Sequence, residues 1–254
     1  MTVQPRVLIL AGTAEARELA SRLADLGSVD VIASLAGATV DPKAYRVKTK
    51  VGGFGGIEGL TAWLIAEHIS VVIDATHPFA STMSRNAAMA SASLQMPLIR
   101  FERPAWEPGP DDKWSAAESL PDALEQLPRG ARAFFATGKG TIEHLEQVGV
   151  PRRDVWCAIR VIDRPERSFP LPLGTFIAAR PPFTLADEIR TLRELEASHL
   201  VAKNAGGAFG RSKLLAARQL GLPIIMVKRP APPAAIGYYH QTIEDVIEQL
   251  VALV

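Results

Sequence analysis

Short apolar runs alternate along this chain with longer segments patterned for helices, and that alternation restricts the fold more than any other property of the sequence. Runs at residues 6–11, 30–35, 45–50, 70–75 and 97–102 are separated by helical patterns at 14–26, 57–68 and 80–93. A strand–helix–strand rhythm of this kind builds a parallel sheet with helices on both faces. Residues 103–114, RPAWEPGPDDKW, are rich in proline and charge, carry two tryptophans, and interrupt the rhythm as a linker would. A second series follows. Strands are predicted at 131–136, 154–162, 175–179, 199–204 and 223–228, and helices at 184–198, 211–220 and 242–253, with a short helix after the 137–140 turn. The expectation is an α/β protein with two layers in tandem, residues 1–103 and 104–254.

The bulk numbers serve mainly to exclude. With 254 residues the chain can bury one large core or two small ones. Lys and Arg total 28 against 27 Asp and Glu, a net charge of +1, so no nucleic-acid partner is expected, while a small anion stays open. A single cysteine, Cys157, cannot form an internal disulfide; it is expected as a small buried apolar residue in a cytoplasmic protein. No run approaches the roughly 18 apolar residues of a membrane span, and the opening MTVQPRVLILAG reads as a strand rather than a signal-peptide core. The five histidines, at 68, 77, 144, 199 and 240, show no metal-ligand spacing.

Chemistry is expected where strands end. After the first strand, Gly12 and Thr13 open a helix whose free N–H groups favour a phosphate. Only one glycine of the usual dinucleotide fingerprint is present, so a plain strand–helix turn capped by Thr13 is an equal reading. Arg17, one turn on, faces either a phosphate or solvent. The second strand ends in Ser34-Leu35-Ala36-Gly37, without a carboxylate to bind a ribose 2′-hydroxyl. With Arg46, Lys48 and Lys50 on the next strand, this leans towards NADP, the other reading being a solvated basic edge. Gly52, Gly53, Gly55 and Gly56 let the backbone approach a ligand, or make a loose connector; in some such sheets the third strand's end is adjacent to the first strand's. In VVIDATHPFA, Asp74 is expected half-buried and holding loop N–H groups, Thr76 and His77 stand past the strand end, and Pro78 suits the first turn of the next helix. His77 is either a structural hydrogen-bonder or a contact to a nicotinamide or a substrate carboxylate.

The second half repeats this design twice. Thr137, Gly138 and Lys139 follow one strand, and Lys203, Asn204, Gly206 and Gly207 follow another, with Lys213 on the next helix. Each is a nest of backbone donors beside a cation, and the pair suggests an anion with several negative groups.

The blocks LILAGTAEAR (8–17), IDATHPFA (73–80), FATGKG (135–140) and KNAGGAFGRSKLLAARQLGLPIIMVKRP (203–230), in that order, resemble the precorrin-6A reductases of cobalamin biosynthesis. The resemblance implies two Rossmann-like domains with parallel sheets and an interdomain cleft, 1–103 binding NADPH and 104–254 binding substrate. It implies hydride transfer from NADPH to a double bond of an anionic tetrapyrrole, precorrin-6A, with a proton added at the neighbouring carbon to give precorrin-6B. Gly12, Thr13, Arg17 and the DATHP residues match the family's cofactor turns; Lys139, Lys203, Asn204, Gly206, Gly207 and Lys213 match its later blocks. The cofactor set is then Gly12, Thr13, Arg17, Ser34, Lys50, Gly53, Thr76, His77 and Pro78. The substrate set is Thr137, Gly138, Lys139, Lys203, Asn204, Gly206, Gly207 and Lys213, with His77 and Lys203 as candidate catalytic groups. Other cobalamin-pathway enzymes are conceivable partners. Ala205 departs from a frequent Ser, and Ala11 from a frequent Gly. Alternatives are the NADH-dependent cobalt-precorrin-6A reductase of the anaerobic pathway, a non-catalytic two-domain anion-binding protein, and a nucleotide-sugar transferase.

Overall fold

A computed structural model describes residues 4–37, 44–147, 154–234 and 236–254. The first series comprises β1 (Arg6–Leu10), α1 (Ala14–Leu26), β2 (Asp30–Leu35), β3 (Lys48–Val51), α2 (Gly56–Ala66), β4 (Ile69–Asp74), α3 (Ser81–Ser93) and β5 (Leu98–Phe101). The second comprises β6 (Trp114–Ala117), α4 (Leu120–Glu125), β7 (Arg132–Phe135), α5 (Gly140–Gln147), β8 (Trp156–Val161), β9 (Gly174–Ala178), α6 (Leu185–Glu194), β10 (His199–Lys203), α7 (Ser212–Gln219) and β11 (Ile224–Val227). The chain closes with β12 (Tyr238–His240) and α8 (Ile243–Leu253).

Two parallel sheets result, in the orders β12-β5-β4-β1-β2-β3 and β6-β11-β10-β7-β8-β9. Both are the doubly wound arrangement. Each sheet takes its outermost strand beside β5 or β11 from an unexpected part of the chain. β6 follows β5 in sequence yet pairs with β11, and β12 follows β11 yet pairs with β5. The chain therefore divides into a first unit, residues 1–104 with 230–254, and a second, residues 105–229. This corrects the expectation that 104–254 form one domain. The last segment belongs to the first unit because Ile243, Val246 and Leu250 of α8 are buried in its core, against Leu19 and Leu23 of α1. In this sheet β2 lies between β3 and β1.

Local signals explain where the helices stop and start. α1 buries Ala16, Leu19, Ala20 and Leu23, a three-and-four spacing that puts one apolar stripe on the sheet. Thr13 caps its start and left-handed Gly27 its end. At α6 a capping box joins Thr184 and Asp187, each side chain bonding the other's amide. The central strands β1 and β4 are buried almost throughout because α helices cover both faces of each sheet.

Candidate active site

Ligands of open α/β sheets bind outside the carboxyl ends of the strands, where the strand order reverses. In the first sheet the reversal lies between β1 and β4, whose connections lead to β2 on one side and β5 on the other. The turns that flank it are 11–13 and 75–80. Register aligns the residues just before them: Arg100, Asp74, Leu10, Ser34 and Lys50 form one row across β5, β4, β1, β2 and β3.

The two turns are tied to each other. Thr13 Oγ1 accepts the Ala16 amide at 3.0 Å and donates to the Ala75 carbonyl at 3.0 Å, while the Ala75 amide donates to the Leu10 carbonyl at 3.0 Å. Gly12 has φ +118°, and a Cβ there would meet nothing within 4 Å. Only glycine is at ease in that backbone, and the space over the turn is open. Arg17 lays its guanidinium 5.4 Å from the centre of the Tyr45 ring, and both Arg17 Nε and the Tyr45 hydroxyl are buried without a hydrogen-bond partner.

Beneath the second turn lies a buried ion network. Asp74 and Arg100 are 1% and 2% exposed. Arg100 donates through Nη1 to Asp74 Oδ2 at 2.7 Å, to Thr76 Oγ1 at 3.1 Å and to Ser84 Oγ of α3 at 3.2 Å; Nε and Nη2 reach Glu102 at 3.2 and 2.9 Å. Asp74 Oδ1 accepts the amide and hydroxyl of Thr76 at 3.1 and 2.7 Å. Asp74 thus holds loop N–H groups as expected, but it is fully buried, and its charge is met by Arg100. His77 Nδ1 accepts the Phe79 amide at 3.2 Å, so that nitrogen carries no proton while the bond holds, and the neutral ring presents Nε2–H. The Ala80 amide bonds the His77 carbonyl at 2.7 Å, closing a turn with Pro78 inside it. Pro78 therefore precedes α3 rather than occupying its first turn.

Three members of the expected cofactor set stand apart. Ser34 is buried, and its carbonyl receives the Ala11 amide. Lys50 donates to the carbonyls of Gly52 and Gly53 at 2.8 and 3.0 Å and lies 4.2 Å from the Phe54 ring. It fastens its own loop on edge strand β3, two strands from the reversal, and Gly53 goes with it. The structure brings together Gly12, Thr13, Arg17, Thr76, His77 and Pro78, and leaves Lys50 and Gly53 at the margin.

The second sheet repeats the arrangement. Its reversal lies between β7 and β10, and the basic glycine turns, 137–140 and 204–207, follow these two strands. Thr137 bonds the buried Thr141 hydroxyl, Gly138 is left-handed at φ +78°, and Lys139 is exposed. Lys203 Nζ lies 4.0 Å from where a Cβ on Gly140 would stand, so the two turns meet at this cation. Burial lowers the Lys203 pKa from the usual lysine range. Gly206 and Gly207 are consecutively left-handed, at φ +68° and +71°. The Asn204 side chain pairs with both backbone groups of Trp106, at 2.8 and 2.9 Å, and straps that residue to the turn. Trp106 Nε1 also donates to the Gly207 carbonyl at 2.7 Å, and Arg229 holds the carbonyls of Asn204 and Ala205. Lys213 bonds the Gly210 carbonyl at 2.7 Å and lies 4.9 Å from the Trp106 ring.

Residues 6–251 match the family model described as Precorrin-6x reductase CbiJ/CobK. The chain belongs to the precorrin-6x reductase family. Relatives agree along almost the whole length of this precorrin-6x reductase family member. A Precorrin-6A reductase of Sinorhizobium is 44% identical over 250 residues, covering 97% of this chain and 94% of the relative. That of Rhodococcus erythropolis is 41% identical over 242 residues, covering 95% and 94%. A solved structure titled CobK precorrin-6A reductase superposes with a TM-score of 0.90 at 42% identity, covering 98% of this chain and 97% of that one. In this family member, reasoning from sequence passed over Arg100, Glu102, Ser84, Tyr45, Trp106 and Arg229. For Arg100 a signal existed: a guanidinium between Ile99 and Phe101, in a strand with no room for an unpaired charge. Among the described residues, no helix is long and apolar enough to cross a membrane, and no cluster of His, Cys, Asp and Glu could hold a metal.

Proposed function

We propose that this chain reduces one double bond of precorrin-6A with NADPH. In this reading the first unit holds the coenzyme along the turns at 12–13 and 76–77, and the second offers its basic glycine turns to the carboxylates of the tetrapyrrole. The observation that carries the reading is the tie between the first two turns: Thr13 reaching Ala75 across the point where the strand order reverses.

The residues present fit a dinucleotide. Space stands open over Gly12, the start of α1 offers amides to a phosphate, and Arg17 Nε is a buried donor lacking an acceptor. When bound, the nicotinamide supplies the hydride. The chain binds, orients and protonates. The Asp74–Arg100 network fixes the turn that carries His77, whose Nε2–H can donate to a carboxylate or an amide. Lys203, its pKa lowered by burial, is a stronger acid than a surface lysine, which suits the group that delivers a proton to the carbon next to the hydride acceptor. Overall, precorrin-6A gains one hydride and one proton while NADPH becomes NADP⁺. The absence of a carboxylate in Ser34-Leu35-Ala36-Gly37, where β2 ends, supports NADPH over NADH.

Purified protein mixed with precorrin-6A and NADPH is expected to lose the nicotinamide absorbance band in step with the change in the macrocycle spectrum, about tenfold or more faster than with NADH. Equal rates with both coenzymes would overturn the coenzyme assignment. No oxidation would overturn the reductase reading.

A further inference from the structure

The turn after β1 carries two buried donors with nothing to bond, Arg17 Nε and the Tyr45 hydroxyl. A shielded donor without an acceptor is costly, and native structures keep few of them, so each asks for an explanation. The two stand together, with the Arg17 guanidinium over the Tyr45 ring. The Tyr45 hydroxyl lies beside the Gly12 backbone without completing a hydrogen bond. Burial pushes its pKa above the usual phenol value, against a smaller opposing pull from the Gly12 amide and Arg17. It therefore stays protonated and acts as a donor. Two unpartnered donors, the Tyr45 hydroxyl and Arg17 Nε, thus stand side by side next to the Gly12 turn.

The nearby carboxylates are engaged elsewhere. Glu15 pairs with Arg103 at 2.9 Å, and Asp25 with Arg46 at 2.9 Å. A cluster of donors around a guanidinium that no carboxylate among the described residues neutralises calls for an anion rich in acceptor oxygens, and a phosphate monoester is such a group. Position decides which phosphate. Tyr45 leads into β3, which lies beyond β2, so the cluster sits on the β2 side of the Gly12 turn. A dinucleotide with its pyrophosphate at the start of α1 extends its adenosine half to that side.

We propose that Arg17 and Tyr45 form the subsite for the adenosine 2′-phosphate of NADPH, and that this pair distinguishes NADPH from NADH. Tyr45 serves twice: its ring carries the guanidinium and its hydroxyl donates to the phosphate. The proposal rests on the reading that the Gly12 turn holds a pyridine dinucleotide.

The test is calorimetric titration of the full chain with 2′,5′-ADP and with 5′-ADP, which need neither nicotinamide nor macrocycle. The wild-type protein should bind 2′,5′-ADP about tenfold or more tightly than 5′-ADP. Arg17→Met should abolish that preference while leaving 5′-ADP within about twofold, and Tyr45→Phe, which keeps the ring, should reduce it by about threefold to tenfold. Melting curves establish that both variants fold, and Arg17→Lys, which keeps the charge, should retain part of the preference. Equal wild-type affinity for the two nucleotides would overturn the subsite and leave the dinucleotide reading standing. A parallel loss of both nucleotides in Arg17→Met would move Arg17 to the pyrophosphate and also overturn it. Failure of the wild-type protein to bind either nucleotide would overturn the dinucleotide reading and the subsite with it.

Discussion

Arg100 stands between two carboxylates in a place almost closed to water, and it alone among the described residues neutralises Asp74 there. Removing it leaves uncompensated buried charge, so Arg100→Met should cost about 3–5 kcal/mol in urea unfolding, as expected for breaking a buried ion pair. A loss under about 1 kcal/mol, the level of a surface pair, would contradict the network's energetic role. Gly12 tests a different property. A Cβ there meets nothing within 4 Å, but a valine must adopt φ +118°, at a cost of about 1–3 kcal/mol. Gly12→Val should fold with a lowered melting temperature and lose NADPH affinity in a fluorescence titration; normal affinity in the folded variant would contradict the site. For Lys203, burial depresses the pKa, so the ammonium is lost at a lower pH than in an ordinary lysine. Affinity for the anionic macrocycle should fall as pH rises through that value, and Lys203→Arg should hold it to higher pH. Glycine, lysine and histidine in the sequence marked the turns at 12–13, 76–77, 137–140 and 204–207, which the structure places at strand ends. The bonds of Asn204 to the Trp106 backbone and of Lys50 to the Gly52 and Gly53 carbonyls were not legible, because they are choices between polar groups that composition cannot rank.

Elements with strong local signals were readable to within a few residues. α1 ends where Gly27 turns left-handed, and α6 and α8 begin at the threonines that cap them. Those signals lie within one turn of the boundary they set. β6, α4 and β12 escaped because they are too short to show a period, and the half-exposed WSAA and YYH depend on a neighbouring strand for their form. At β10 a pH effect follows from one side chain. His199 opens the strand, and burial lowers its pKa below the usual 6.5. Between that lowered value and 6.5 the unfolded chain holds a proton the folded chain does not, so stability is lost as pH falls through this window. The melting temperature should drop from pH 7.5 to pH 5.5, by less in His199→Gln. An identical drop in both would assign the effect elsewhere.

The whole molecule departs from its sequence reading at one place, the return of 230–254 to the first unit. Nothing in YYH or in the α8 stripe says which sheet it completes; an apolar helix face fits any complementary core. The choice is made by the edge of β5 and the face of α1, both far away in sequence. Each large apolar side chain buried is worth about 1.5–3 kcal/mol, so losing Ile243, Val246 and Leu250 together removes an amount on the order of a domain's net stability. Residues 1–104 alone should therefore show no cooperative melting by circular dichroism, and adding a peptide of residues 230–254 should restore it. Cooperative melting of 1–104 alone would contradict the discontinuous unit. The central claim concerns where the coenzyme lies. It is tested most directly by a crystal structure of the protein with NADP⁺, in which the account predicts the pyrophosphate against the amides at 12–14 and the nicotinamide end at the turn of Thr76 and His77. Finding the coenzyme instead on the glycine turns at 137–140 and 204–207 would contradict it.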